Sequence, residues 1–138
     1  MNLLRRRWLK VGTLLGASAL LWSCVAPILT VPPPGAVAFE STTVTASDGT
    51  QQTLWITTGG PLDQAANATY FVFDRTLGGG VIATGRNDGS FTAPPMQGND
   101  KDQVLVYYKT PFGDYSDSLC VLLGTAASPA TCTPRPPI

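Results

Sequence analysis

Between Ala36 and Leu123 the chain is cut into short β-prone runs by closely spaced turn signals, and no segment there carries a helical period. The runs are Val37 to Ala46, Thr53 to Thr58, Ala68 to Arg75, Gly80 to Arg86, Ser90 to Ala93, Gln103 to Lys109 and Ser116 to Leu123. Asp48-Gly49, Gly59-Gly60-Pro61 and Asn87-Asp88-Gly89 separate them, and the last is the sharpest hairpin signal. Gly78-Gly79-Gly80 lies between two runs and reads as a hairpin loop, since no following helix would make it a phosphate cradle. Such spacing predicts an all-β fold, a small single-domain β-sandwich of about seven strands.

Apolar content ranks the strands. Tyr70 to Phe73 and Val104 to Tyr108 are apolar on both faces and are expected at the centre of a sheet, whereas Thr42 to Ala46 alternates with Thr outward and suits an edge. The expected core is Val37, Phe39, Val44, Leu54, Ile56, Phe71, Phe73, Val81, Phe91, Val104, Val106, Leu119 and Val121. Tyr107 and Tyr108 cannot share a face, so at least one of them is expected to meet solvent or a loop.

The 138 residues, 43% hydrophobic and 13% charged, suffice for one domain of ordinary size. A nominal net charge of zero hides an asymmetry, because Arg5, Arg6, Arg7 and Lys10 crowd the first ten residues with no acid among them. Beyond Cys24, five cations face nine acids, a balance that disfavours nucleic acid as a partner. Histidine is absent, which removes the commonest general base and metal ligand.

After the basic start comes an apolar run from Val11 to Ser23. A helix of that length covers roughly 20 Å against the ~30 Å of a bilayer core, so it fits a signal peptide better than a membrane span. An uncleaved anchor extending through Val31, kinked at Pro27, is the competing reading. The run ends in Leu21-Trp22-Ser23-Cys24. This resembles the lipobox of bacterial lipoproteins, with Leu21 and Ser23 at matching positions and Trp22 departing from the pattern. The resemblance implies that residues 1–23 are removed and that Cys24 is lipidated with palmitate-type acyl chains, giving a membrane partner through the lipid. Stable anchoring takes two or more chains, because each buried CH₂ contributes only ~0.8 kcal/mol. Arg5-Arg6-Arg7-Trp8-Leu9-Lys10 is also similar to a twin-arginine export signal, and equally serves as an ordinary basic leader for general secretion. Both routes place the protein outside the cytoplasm. Val25, where Asp would favour inner-membrane retention in enteric bacteria, points to the outer membrane. Residues 24–35, with Pro27 and Pro32-Pro33-Pro34, read as a spacer of polyproline II type or an irregular lead-in to the first strand.

The segment from Gly59 to Ser118, with Asp88-Gly89-Ser90-Phe91, Asp102 to Val106 and Gly113 to Ser116, resembles carboxypeptidase-regulatory-like and bacterial Ig-like domains. The resemblance implies an Ig-like or transthyretin-like sandwich over residues 36–123 and a binding or architectural role without catalysis.

With Cys24 assigned to the lipid, Cys120 and Cys132 remain, and an oxidising compartment favours their pairing. The disulfide would tether the Pro-rich tail, residues 124–138, to the last strand and contribute about 2–3 kcal/mol in the chain-entropy model. The acids fall mostly in turns, Asp48, Asp88, Asp100, Asp102 and Asp114, where turn chemistry explains them better than glycosidase-type catalysis. Asn99-Asp100-Lys101-Asp102 with Asp114 could offer oxygens to Ca²⁺, but Lys101 and the missing EF-hand pattern favour a solvated turn, so no metal and no cofactor is expected. Trp55 points away from Leu54 and Ile56. It either packs against a second sheet or, with Tyr107 or Tyr108, forms an aromatic platform for a glycan or protein. The sequence thus predicts a non-enzymatic, lipid-anchored envelope protein displaying a sandwich for structure or protein interaction, with an extracytoplasmic carbohydrate-binding module as the alternative.

Overall fold

The computed structural model describes residues 30–133. Cys24 and the leader residues Arg5, Arg6, Leu21 and Ser23 lie outside that range. Eight strands follow in order: β1 (Val37–Thr45), β2 (Gln51–Gly59), β3 (Thr69–Asp74), β4 (Gly79–Thr84), β5 (Phe91–Thr92), β6 (Met96–Gln97), β7 (Gln103–Lys109) and β8 (Leu119–Leu122). A short 3₁₀ turn, Asp63–Ala65, stands between β2 and β3.

The strands form two antiparallel sheets, one in the order β1-β2-β5 with β6 also on β2, the other β4-β3-β7-β8. The all-β sandwich is therefore the fold. β3 and β7, the strands apolar on both faces, are central in their sheet, and Thr-rich β1 is an edge. Beyond β8 the tail continues the sheet: Leu122 N–H donates to the Ala130 carbonyl, Cys132 N–H to the Cys120 carbonyl, and Val121 pairs with Thr131. A Cys120–Cys132 disulfide, with Cα atoms 5.0 Å apart, locks that extra strand in place. At the other end of the body, Val31 pairs with Ser116 and its carbonyl accepts from Asp117 N–H, so stitching to the sandwich begins before Ala36.

The core is built from Val37, Phe39, Trp55, Tyr70, Val72, Phe91, Met96, Val104, Val106, Tyr108, Val121 and Leu123. Six of the thirteen expected core residues, Val37, Phe39, Phe91, Val104, Val106 and Val121, are buried there, with Val81 and Leu119 packed against them. Two strands have the opposite phase to the expected one. In β2, Trp55 and Thr57 point inward while Leu54 and Ile56 are only half-buried. Burying the indole is favourable because its Nε1 donates to the Gly98 carbonyl at 2.9 Å. In β3, Tyr70 and Val72 are buried, and Phe71 and Phe73 face outward. Four apolar residues in a row leave the phase undetermined, and Tyr70 resolves it by stacking on Phe91 with ring centroids 3.9 Å apart and donating its hydroxyl to the Gly89 carbonyl. Val44 is exposed because only the first half of β1 lies over the core.

The turn at Asn87-Asp88-Gly89 is not a hairpin between sheet neighbours. β4 and β5 belong to different sheets, so this turn carries the chain from one layer to the other. β6, directly after Pro94-Pro95, is the strand that turn-forming residues concealed.

Candidate binding surface

Three five-residue turns share one closure. In each, the first N–H donates to the fifth carbonyl and the fourth, a glycine with φ between 79 and 99°, donates to the first carbonyl: Ala46 to Thr50, Arg86 to Ser90 and Thr110 to Asp114. Asp48 and Asp88 each accept the backbone N–H and the hydroxyl of the residue two positions on, Thr50 and Ser90. Those side-chain bonds hold both carboxyls below their ordinary 3.8. The third turn folds the chain back so that Tyr115 pairs with Lys109 on β7.

Tyr115 thereby joins an aromatic group on the outer face of the β4-β3-β7 sheet. The register places Ile82, Phe71 and Tyr107 in one row across three strands, and Gly80, Phe73 and Leu105 in the next. Ile82 is 60% exposed, Tyr115 57% and Phe73 40%. Phe71 and Tyr107 stack with centroids 5.0 Å apart and planes inclined 13°. That separation is too short for two rings lying flat side by side, so they overlap face to face. Tyr115 is tilted against both at 6.4 Å, and Lys109 Nζ sits 5.2 Å from its ring centroid. Phe112, at the tip of the third turn, is 93% exposed.

Of the two readings of Trp55, packing against a second sheet is the one the structure shows, and no platform of Trp55 with Tyr107 or Tyr108 forms. Trp55 and Tyr108 are buried in the core, and Tyr107 alone reaches the outer face. Phe71, Tyr115 and Lys109 are the neighbours of Tyr107 on that face. The outer row could have been found only by fixing the phase of β3, and Tyr115 only by knowing that the third turn folds back.

A second cluster lies inside. Asp74 and Asp102 are buried, each capping its own loop: Asp74 Oδ1 accepts from Thr76 and Leu77 N–H, and Asp102 Oδ2 accepts from Asn99 N–H and Nδ2. Asp74 Oδ2 has no hydrogen-bond partner among the described residues. Burial pushes the Asp74 carboxyl above its ordinary range, the neighbouring Asp102 adds to this, and the two N–H donors oppose it. Asp102 is thus a buried cap, not the solvated turn residue expected, and Asp114 lies beyond the far end of β7. The open groove beside this cluster, about 320 Å³, is lined by Gln51, Gln52, Thr53, Leu77, Gln97, Gly98 and Asn99 and by neither carboxyl. Among the described residues no group of three or more His, Cys, Asp or Glu side chains could hold a metal. Within the same range no helix is long and apolar enough to cross a membrane. Compared with known proteins, the chain matches no family model, no curated protein and no solved structure.

Proposed function

We propose that the protein is a non-catalytic interaction module, lipid-anchored through Cys24 outside the cytoplasm with the outer membrane favoured, and that it binds a protein through the outer face of β4, β3 and β7. The observation that carries this reading is the outward-facing row of exposed Ile82 and half-buried Phe71 and Tyr107, flanked by exposed Phe73 and Tyr115. A contiguous apolar patch on a soluble face marks an interaction site, and aromatic residues dominate the energetics of such sites. A protein partner fits better than a glycan. Sugars stack on open aromatic faces, whereas Phe71 and Tyr107 cover one another and Lys109 covers Tyr115. The Cys120–Cys132 disulfide supports an oxidising compartment, and the Ig-like or carboxypeptidase-regulatory-like resemblance supports a binding role.

The test pairs two measurements. Cells fed a clickable fatty acid should label the wild type and not Cys24→Ala; equal labelling overturns the anchor. Envelope proteins retained by the wild type should be lost with Tyr107→Ala and Phe71→Ala and kept with Val44→Ala, a control exposed on the other sheet. Retention unchanged by the face variants, or binding to a glycan array in place of a protein, overturns the reading.

A further inference from the structure

The free edge of β4 is built to pair with an extended backbone. Gly85 N–H donates to the Ala68 carbonyl at 2.7 Å, so residues 68 and 85 form a hydrogen-bonded pair of the β3-β4 ladder. Alternation along the ladder gives the same character to the pairs Tyr70–Ala83, Val72–Val81 and Asp74–Gly79. Gly79, Val81 and Ala83 therefore turn their backbone groups toward β3, and Gly80, Ile82 and Thr84 turn theirs away from the sheet. Among the described residues no strand pairs with β4 on that side, and Gly80, Ile82 and Thr84 are all exposed.

Natural sheets guard such edges with charge, proline, a bulge or a covering segment. The other edges here are guarded. β8 is covered by residues 130–132 and the disulfide, β1 carries exposed Glu40, and β5 and β6 are two residues each with Pro94-Pro95 between them. β4, Gly-Gly-Val-Ile-Ala-Thr, has no charge and no proline, and no described segment covers it.

We infer that two copies of this chain associate through β4, antiparallel about a two-fold axis, to make one continuous sheet. The geometry selects the register. Residues opposite one another in an antiparallel pair lie on the same face, so outward-facing Ile82 must meet an outward-facing residue. With Ile82 on the axis, it faces Ile82 of the other copy, and Gly80 faces Thr84 in both directions. The residues brought together are those whose N–H and C=O groups are unpaired, so each free donor meets a free acceptor. No like charges meet anywhere along the overlap, which is the charge condition a self-pairing strand must satisfy. The apolar row then runs unbroken from Tyr107 and Phe71 of one copy through both Ile82 side chains to Phe71 and Tyr107 of the other. Because the overlap is short, the dimer is a weak one. Self-association through β4 requires neither the lipid anchor nor a partner on the aromatic face.

A hydrogen-bonded antiparallel pair holds its Cα atoms about 5.5 Å apart, inside the ~4.4–6.8 Å that a disulfide spans. In the full chain carrying Cys24→Ser, with Cys120 and Cys132 already joined, Ile82→Cys supplies the one free thiol. Under mild oxidation it should run as a covalent dimer on a non-reducing gel, while Phe112→Cys, at a more exposed site, stays monomeric. Equal dimer from both variants, or none from Ile82→Cys, overturns the proposal. An Ile82→Cys adduct with a different protein overturns it too and assigns the edge to another partner. Sedimentation gives an independent readout: the wild-type mass should rise with concentration, and Ile82→Lys and Thr84→Lys, both at exposed positions, should remain monomers with unchanged circular dichroism. Folded lysine variants that still gain mass defeat the β4 assignment.

Discussion

The Tyr70 hydroxyl donates to the Gly89 carbonyl at 2.6 Å, tying a core strand of one sheet to the turn that leads into the other. Tyr108, whose ring lies 5.4 Å from that of Tyr70, is equally buried, but its hydroxyl finds no partner among the described residues. Burial pushes both phenols up, Tyr70 to about 12. The two tyrosines should respond oppositely to loss of the oxygen. Tyr70→Phe leaves the Gly89 carbonyl unpaired and should cost about 1–2 kcal/mol, whereas Tyr108→Phe removes a buried group that bonds to nothing and should be neutral or stabilising by up to about 1 kcal/mol. Urea unfolding of the two variants checks this; equal losses would refute it.

Gly89 has φ 79°, and a Cβ there would strike the Leu62 backbone, whose N–H donates to the Asp88 carbonyl. Gly49 has the same conformation, φ 83°, with open space around it. Alanine should therefore cost about 1 kcal/mol at position 49 from backbone conformation alone, and about 2–4 kcal/mol at position 89, where the corner must also move. Thermal melts of the pair separate the two contributions.

Stability should fall as pH rises above 3.8 because of Asp74. Its folded carboxyl holds a proton more tightly than the unfolded chain does, chiefly through burial, so the native state binds more protons between 3.8 and the raised folded value. Below 3.8 the sign reverses, since Asp48 and Asp88 have lowered values and their turn bonds are lost as they protonate. The melting temperature should thus be highest near pH 3.8 and fall from there toward the raised folded value of Asp74. Asp74→Asn keeps an oxygen for Thr76 and Leu77 N–H and places an amide beside Asp102, so it should raise stability at pH 7 by about 1 kcal/mol and flatten the fall above pH 3.8. An unchanged slope in the variant would show that another group carries it.

Removing both Cys120 and Cys132 opens a loop with a sequence separation of 12. The expected loss is about 2–3 kcal/mol, accompanied by proteolytic cutting in residues 124–131 well before the body is attacked. Limited proteolysis followed by mass spectrometry reads both; resistance equal to the wild type would mean that the backbone bonds from Ala130 and Cys132 hold the tail unaided.

What was legible in the sequence follows from how far each signal reaches. Strand positions and the central places of β3 and β7 come from local composition, and β1 reveals its edge position through its outward threonines. Phase is a different matter. In Leu54-Trp55-Ile56-Thr57 and Tyr70-Phe71-Val72-Phe73 both faces are apolar enough to bury, and the choice depends on whether Trp55 and Tyr70 find acceptors at Gly98 and Gly89, tens of residues or nearly so away in the chain. The outer aromatic row depends on that same choice, which is why the sequence offers Tyr107 and Tyr108 alike as surface candidates and Phe71 for the core. Asp102 looks like a solvated turn residue in sequence because its turn is visible there and the sheet end that covers it is not.

The three equivalent glycine turns also bear on the order of folding. Each closes over five residues, so each can form within microseconds without help from the rest of the chain. Two of them fix pairings already adjacent in sequence, but the one at Arg86–Ser90 commits the chain to leaving its sheet before the second sheet has been completed. The distant pairings, β3 with β7 and β2 with β5 and β6, close the longest loops, and a corner formed early would shorten the search for the β2–β5 pairing. On this account Gly89→Ala should slow folding and Gly113→Ala should mainly speed unfolding, a difference that stopped-flow refolding and unfolding of the two variants would read directly.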